Sequence, residues 1–319
     1  MFTAAKPASS RILVVRLGAM GDIIHALPAV ASLKHGYPGS RLTWIIDPKW
    51  APLLEDNPFI DRLTLLRRDT VAGLFESWRA LRAERYDFAV DFQGLIKSAV
   101  VAVAARPDRI FGFHRSQLRE RAAALFYSNQ TISAAAHVVE KNLDLAAAAG
   151  ATTPLRTFPL PPGRPEGALP PGDFVLASPL AGWRGKQWPF EHYQALAARL
   201  RGELGIPLVL DGPPGSGLEH CSGLPGLIHA TRRAAAVVGV DSGPLHLAAA
   251  LGKPGVAIYG PTDPARNGPY GDSLRVLRSP AAITTYKRGR SIDEAMRAVS
   301  PSQVFEALKA MLGERRCLL

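Results

Sequence analysis

The stretch Val237–Asp272, VVGVDSGPLHLAAALGKPGVAIYGPTDPARNGPYGD, carries the densest chemistry in the sequence. An apolar strand ends at Asp241, Ser242-Gly243-Pro244 make a tight turn, and a helix opens at once with Leu245 and His246. Free backbone N–H groups at a helix start, backed by the helix dipole, attract phosphate. His246 could add a hydrogen bond to a phosphate oxygen. The next strand ends in Tyr259-Gly260-Pro261-Thr262-Asp263-Pro264, a second rigid turn on the same sheet edge. The two loops should lie side by side and form one pocket. Either loop alone could be only a shaped turn; together with Asp241 and His246 they point to an anionic ligand.

A second candidate is Leu180–Pro189, LAGWRGKQWP, again at a strand's carboxyl end. Lys186 there suits the neutralisation of a diphosphate leaving group, the bland alternative being a surface lysine beside packed tryptophans. The third is Arg16–His25. It reads G-x-x-G, so it fails as a dinucleotide fingerprint on spacing. Its distinctive residue is Asp22, which reads as the N-cap of the first helix. At the mouth of an interdomain cleft the same carboxylate could act as general base. Weaker candidates lie in the first half. Asp91-Phe92-Gln93-Gly94 closes a strand, Arg67 and Arg68 follow another, and Arg115, Arg119 and Arg121 cluster after Phe113. Such arginines suit an acceptor with carboxylates or phosphates, or are merely solvated faces. There is no HExxH, no Walker A loop, no G-x-S-x-G, and no metal-ligand spacing.

Positioning these residues requires strands that end together. Arg11–Arg16, a turn, a helix over 23–35 and Leu42–Ile46 read as a βαβ opening of a parallel sheet. Strands are expected at Leu63–Leu66, Phe88–Phe92 and Arg109–Phe113, and helices at Leu74–Glu84, Leu95–Ala104 and His137–Ala149. Residues 152–173 are rich in Pro and Gly and read as a linker. Alternation then restarts, with strands at Phe174–Ser178, Ile206–Leu210, Val237–Val240, Gly255–Tyr259 and Leu274–Leu277. Helices are expected at Glu191–Leu204, Leu245–Leu251 and Pro301–Leu312, with Ser300 or Ser302 near the start of the last. The expectation is an α/β protein of two doubly wound domains, 1–155 and 156–319, with ligands outside the strands' carboxyl ends.

The 319 residues suit two domains, at 47% hydrophobic and 20% charged. Two distant cysteines, Cys221 and Cys317, rule out a disulfide scaffold and suit a reducing compartment. No apolar run approaches the ~20 residues of a membrane span. The first ten residues lack the apolar core of a secretory signal. The net charge is +11, spread as +5 through residue 155 and +6 after it, with no basic block. That favours an anionic small ligand or lipid surface over nucleic acid, whose binders need basic arrays or stacking motifs.

Taken together, VVRLGAMGDIIHALPA, DFQGLIKSA, FHRSQLRERAAALFY, GKQWP and VVGVDSGPLHLAAALGKPGVAIYGPTDP resemble the ADP-heptose:lipopolysaccharide heptosyltransferases, family 9 of the glycosyltransferases. DFQGLIKSA and the Arg-Glu before AAALFY resemble the type I enzymes, which add the first heptose to the Kdo (3-deoxy-manno-octulosonic acid) of lipid A. The resemblance implies a GT-B fold, two Rossmann-like domains facing across a cleft, with acceptor in the first and donor in the second. It implies inverting transfer from ADP-heptose without metal or cofactor, with Asp22 as base and Lys186 near the diphosphate. Asp241 would hold the heptose, and Ser242, Gly243, Pro244, Leu245, His246 and Thr262 would line the donor site. Arg67, Arg68, Gln93 and Arg119 would face an anionic Kdo–lipid A acceptor at the cytoplasmic face of the inner membrane. One departure stands out: the stretch 211–236 is shorter than in the family, and Glu219 is the candidate for its ribose-binding glutamate. The alternative is a related family 9 transferase with another nucleotide sugar or another glycan or protein acceptor.

Overall fold

The strand sequences are short apolar runs, and parallel sheets bury such strands on both faces. In the computed structural model, which describes residues 9–316, the runs pair accordingly. Cys317 and the residues before 9, on which most of the leader reading rests, lie outside the described residues. The chain divides into two units between Pro161 and Pro162, within the Pro- and Gly-rich stretch.

In the first unit, β1 (Arg11–Val15), α1 (Met20–Gly36), β2 (Arg41–Ile46), β3 (Arg62–Leu65), α2 (Val71–Arg82), β4 (Phe88–Asp91), α3 (Ile96–Ala104), β5 (Arg109–Phe113), β6 (Asn129–Thr131) and α4 (Val138–Ala148) follow in order. The strands form one parallel sheet in the order β3-β2-β1-β4-β5-β6. β1 lies between β2 and β4, so the strand order reverses beside it. α1 and α4 pack together, whereas α2 and α3 pack side by side with a 3₁₀ turn at Arg121–Phe126 next to α3.

The second unit has β7 (Val175–Ser178), α5 (Phe190–Arg199), β8 (Leu208–Gly212), β9 (His220–Cys221), α6 (Leu224–Arg233), β10 (Ala236–Val240), α7 (Gly243–Ala250), β11 (Gly255–Tyr259), α8 (Pro264–Asn267), β12 (Leu274–Arg278), α9 (Glu294–Arg297) and α10 (Pro301–Arg316). Its parallel sheet runs β12-β11-β10-β7-β8-β9, reversing between β7 and β10. α5 and α10 close one face of the core, where the Trp188 indole N–H donates to the Val299 carbonyl at 2.8 Å. Ser300, not Ser302, caps α10, accepting from the Gln303 amide.

Five elements escape the sequence reading: β6, β9, α6 and the one-turn helices α8 and α9. The first two are edge strands of two or three residues, too short to show a period. The stretch 211–236 thus becomes β9 and one helix after the end of β8. It is tied down by His220, whose Nδ1 lies 2.7 Å from Asp211 and whose Nε2 donates to the Glu166 carbonyl at 2.8 Å. Glu219 beside it is exposed.

Candidate functional site

In a doubly wound sheet the ligand crevice opens where strand order reverses, outside the carboxyl ends. In the second unit that place lies between β7 and β10. The loop after β7 delivers Lys186, and Asp241 follows β10 directly. The Lys186 ammonium lies 2.5 Å from Asp241 Oδ2, with side chains only 18% and 5% exposed. Asp241 Oδ1 takes a 3.3 Å hydrogen bond from the Asn267 amide, and His246 Nε2 lies 3.4 Å away. Burial pushes the Asp241 carboxyl up, but the His246 hydrogen bond and the charges of Lys186 and His246 outweigh it. The result is a carboxyl held well below the usual carboxylate range. Its folded value is depressed, so the stability it contributes is present above about pH 4 and is lost as pH falls further toward the folded value.

The loop around this pair is laid out to receive polar groups. Ser242 precedes α7 without capping it through its side chain, and Pro244 stands in the first turn. The buried hydroxyls Ser242 Oγ and Thr262 Oγ1 have no hydrogen-bond partner among the described residues. Buried hydroxyls are normally satisfied, so a loop holding two orphans beside a helix N-terminus is ready for an anion. Thr262 stands in the turn after β11, next to β10 in the sheet, so the two loops neighbour each other as the sequence suggested. Asn267 was not foreseen. It lies past a second turn, and only the Tyr259 hydroxyl's bond to the Asn267 carbonyl at 3.1 Å shows how α8 is held against β11.

In the first unit the reversal beside β1 gathers a second set. Asp22 is not the N-cap of α1: Ala19 holds that position and Asp22 is the third helical residue. The reading erred because the helix starts three residues earlier than its apolar pattern. Asp22 still reaches back, accepting from the Ala19 amide at 3.3 Å. The same oxygen, Oδ2, takes the Arg16 guanidinium at 2.7 Å, which leaves Oδ1 without a partner among the described residues. Arg16, buried at the end of β1, also donates to the Phe92 carbonyl at 2.5 Å, tying the turn to β4. Sequence reasoning misses Arg16, because an arginine ending a strand carries no signal of its own. Gly18 admits Trp50, whose indole nitrogen would lie 2.8 Å from any Cβ there.

The other first-unit candidates divide. The Gln93 side-chain oxygen accepts the Leu17 amide at 2.8 Å, so Gln93 braces the loop that carries Asp22. Arg68 pairs with Asp47 at 2.8 Å and Arg67 with Glu76 at 3.5 Å, both exposed. Arg119 is exposed and makes no ion pair among the described residues. Asp91 is wholly buried. It accepts from the Tyr127 and Ser98 hydroxyls and the Gln93 and Gly94 amides at 2.7–3.2 Å. Burial raises its carboxyl despite these donors. No lone pair is left for a substrate, so Asp91 holds the loop. Asp91→Ala strands four donors and is expected to lower stability by at least about 3 kcal/mol, since each orphaned buried group costs ~1–3. Chemical denaturation checks this; an Asp91→Ala protein of normal stability and lost turnover would return Asp91 to the catalytic candidates.

Among the described residues no group of three or more His, Cys, Asp and Glu could hold a metal ion.

Known proteins resemble this chain over most of its length. The profile of glycosyltransferase family 9 (heptosyltransferase) matches residues 74–294. Lipopolysaccharide heptosyltransferase 1 of Escherichia coli K12 is 29% identical over 303 residues, covering 85% of this chain and 94% of that one. The Pseudomonas aeruginosa enzyme of the same name is 30% identical over 298 residues, covering 82% of each. The solved structure of the E. coli heptosyltransferase WaaC with ADP superposes with a TM-score of 0.76 at 25% identity, covering 94% of this chain and 99% of that one.

Proposed function

We propose that this chain, which belongs to glycosyltransferase family 9, the heptosyltransferases, adds heptose from ADP-heptose to the Kdo of lipid A. Its two Rossmann-like units make it a GT-B glycosyltransferase, and its relatives make it a heptosyltransferase of lipopolysaccharide core biosynthesis. The donor is a nucleotide sugar and the acceptor a lipopolysaccharide precursor.

The observation that carries the reading is the Lys186–Asp241 pair beside the α7 N-terminus, with two orphan hydroxyls in the adjoining turns. In the proposed step Asp22 takes the proton of a Kdo hydroxyl through its unpartnered Oδ1. The freed oxygen attacks the anomeric carbon from the face opposite the diphosphate, inverting it, and the sugar–phosphate bond breaks. Negative charge develops on the leaving ADP. The N–H groups at the start of α7 and the Lys186 ammonium stabilise it more in the transition state than before. Arg16 and Gln93 position the base loop. The proposal needs no metal or cofactor. Because the acceptor is a lipid, the site of action is the cytoplasmic face of the inner membrane; among the described residues no helix is long and apolar enough to cross one.

The shortened 211–236 stretch and the exposed Glu219 favour a second reading, transfer of another nucleotide sugar or to another acceptor. Release of the donor's own nucleoside diphosphate on Kdo–lipid A should be rapid with ADP-heptose and negligible with other nucleotide sugars; faster release from another nucleotide sugar, or from ADP-heptose only with another acceptor, selects the second reading. In the same assay, reversing Arg67 and Arg68 together to Glu should raise the acceptor KM several-fold and leave the donor KM nearly unchanged, with the difference shrinking at high salt. If both constants move alike, these arginines are only solvated.

A further inference from the structure

α2 is inside out. Its buried residues are Gly73, Ser77 and Leu81, whereas Val71, Leu74, Phe75 and Trp78 point outward, 85%, 47%, 56% and 41% exposed. Their spacing of three, four and seven is that of one helical stripe. α3, packed beside it, repeats the pattern with Ile96, Val100 and Val103, and the 3₁₀ turn next to α3 adds Leu125 and Phe126. Water-facing helices do not carry two such stripes without a partner.

The same segments are basic. Residues 67–82, 95–104 and 114–126 hold eight Lys and Arg against three Asp and Glu. Two of those acids are occupied: Glu76 pairs with Arg67, and Glu120 accepts the Ile96 amide at the start of α3. The Phe75 and Trp78 rings stack at 5.8 Å, and the Arg82 guanidinium lies over Trp78, 4.4 Å from the ring centroid. Aromatic rings capped by arginine beside branched aliphatics are what an interfacial helix offers a bilayer, apolar atoms at the acyl boundary and cations at the headgroups.

We infer that the outer face of α2, α3 and the Arg121–Phe126 turn docks on an anionic lipid bilayer. The inference rests on the proposed membrane-surface location and assigns it a surface. Charge decides between a bilayer and a second copy of the chain. A self-complementary dimer through this face would set two basic surplus patches against each other, which is unfavourable, whereas anionic headgroups match them, each nearby cation adding to the attraction. Arg67 and Arg68 lead directly into α2, so a lipid-borne acceptor held at this face would have its anionic groups near the arginines proposed to meet them.

The test is sedimentation of the full chain with vesicles of phosphatidylethanolamine and phosphatidylglycerol, against phosphatidylcholine alone, at about 50 and about 500 mM NaCl. The wild type is expected to bind the anionic vesicles, more weakly at high salt. Phe75→Ser/Trp78→Ser should bind at least about tenfold more weakly, because most of the α2 stripe's buried area is removed. Turnover on a delipidated, water-soluble Kdo acceptor should not change, and circular dichroism should show an intact fold; Val100→Ser/Val103→Ser serves if the first pair does not fold. Equal vesicle binding by variant and wild type overturns the assignment of this face while leaving the membrane location standing. No binding of wild type to either vesicle overturns both, and turnover on the soluble acceptor then judges the transfer reaction separately. If the wild type is a dimer that the variant splits, with vesicle binding unchanged, the face is a contact between copies and the inference fails.

Discussion

Asp22→Asn is expected to reduce turnover by roughly two orders of magnitude or more, the usual contribution of a positioned general base. An asparagine keeps the shape of the side chain and can still accept the Ala19 amide through its carbonyl oxygen. What it loses is the charge facing Arg16 and the ability to take a proton. The lost ion pair involves a side chain 47% exposed and is worth little in stability, so the melting temperature should stay near that of the wild type. Binding of an ADP-sugar should also be nearly normal, since the loops proposed to hold the nucleotide are in the other unit. Turnover within a few-fold of wild type would make Asp22 a brace for the α1 N-terminus and send the search for the base elsewhere. The structure sharpens this test, because Arg16 and the Ala19 amide share one oxygen of Asp22 and leave the other for substrate.

Lys186→Ala carries the second large effect. Its loss removes the cation proposed to face the departing diphosphate, and single electrostatic contacts of this kind are worth about 10²–10³ in kcat. Donor binding should weaken less, because the α7 amides and the two hydroxyls remain. The Asp241 contact complicates the reading, since it also makes Lys186 a structural partner. Removing one member of a buried pair can cost about 3–5 kcal/mol by stranding the other charge. Asp241 would keep only His246 and Asn267. The Lys186→Ala/Asp241→Ala double variant separates the roles. It removes both charges together, so stability should recover relative to Lys186→Ala, while turnover should not. Recovery of turnover along with stability would reduce Lys186 to a support for Asp241. Single-turnover measurements at saturating donor, paired with thermal melts, give both quantities.

Much of the second unit was open to a reader of the chain, for a local reason. The strand-turn-helix grammar around Asp241 is written in consecutive residues: an apolar run, Ser-Gly-Pro, then a helix. The Tyr259–Pro264 turn repeats it on what proves to be the neighbouring strand. Strand and helix identities along both units follow from the same local patterning, with boundaries differing by a few residues. Where the local signal was weak the reading slipped. The α1 start was put late because Met20 and Gly21 look like turn residues, and that moved Asp22 from third helical residue to N-cap. β6 and β9 are too short to have a period, and α6 hid in a stretch noted only for its brevity.

What the sequence by itself determined, then, is two alternating α/β units, the rigid turns after β10 and β11 and the candidate charges at strand ends. The tertiary structure alone decided which of those charges meet. Lys186 and Asp241 are 55 residues apart and touch because the strand order places β7 beside β10. Gln93 and Arg16 brace the Asp22 loop because β4 lies beside β1. Asp91, which in the chain only closes a strand, is a saturated, buried carboxylate in the fold. The inverted face of α2 shows the same limit. Its apolar stripe is legible, but a helix pattern gives only the period of a face and not its direction. The stripe points outward because Gly73, Ser77 and Leu81 are the residues that pack inward, and packing fixes that choice.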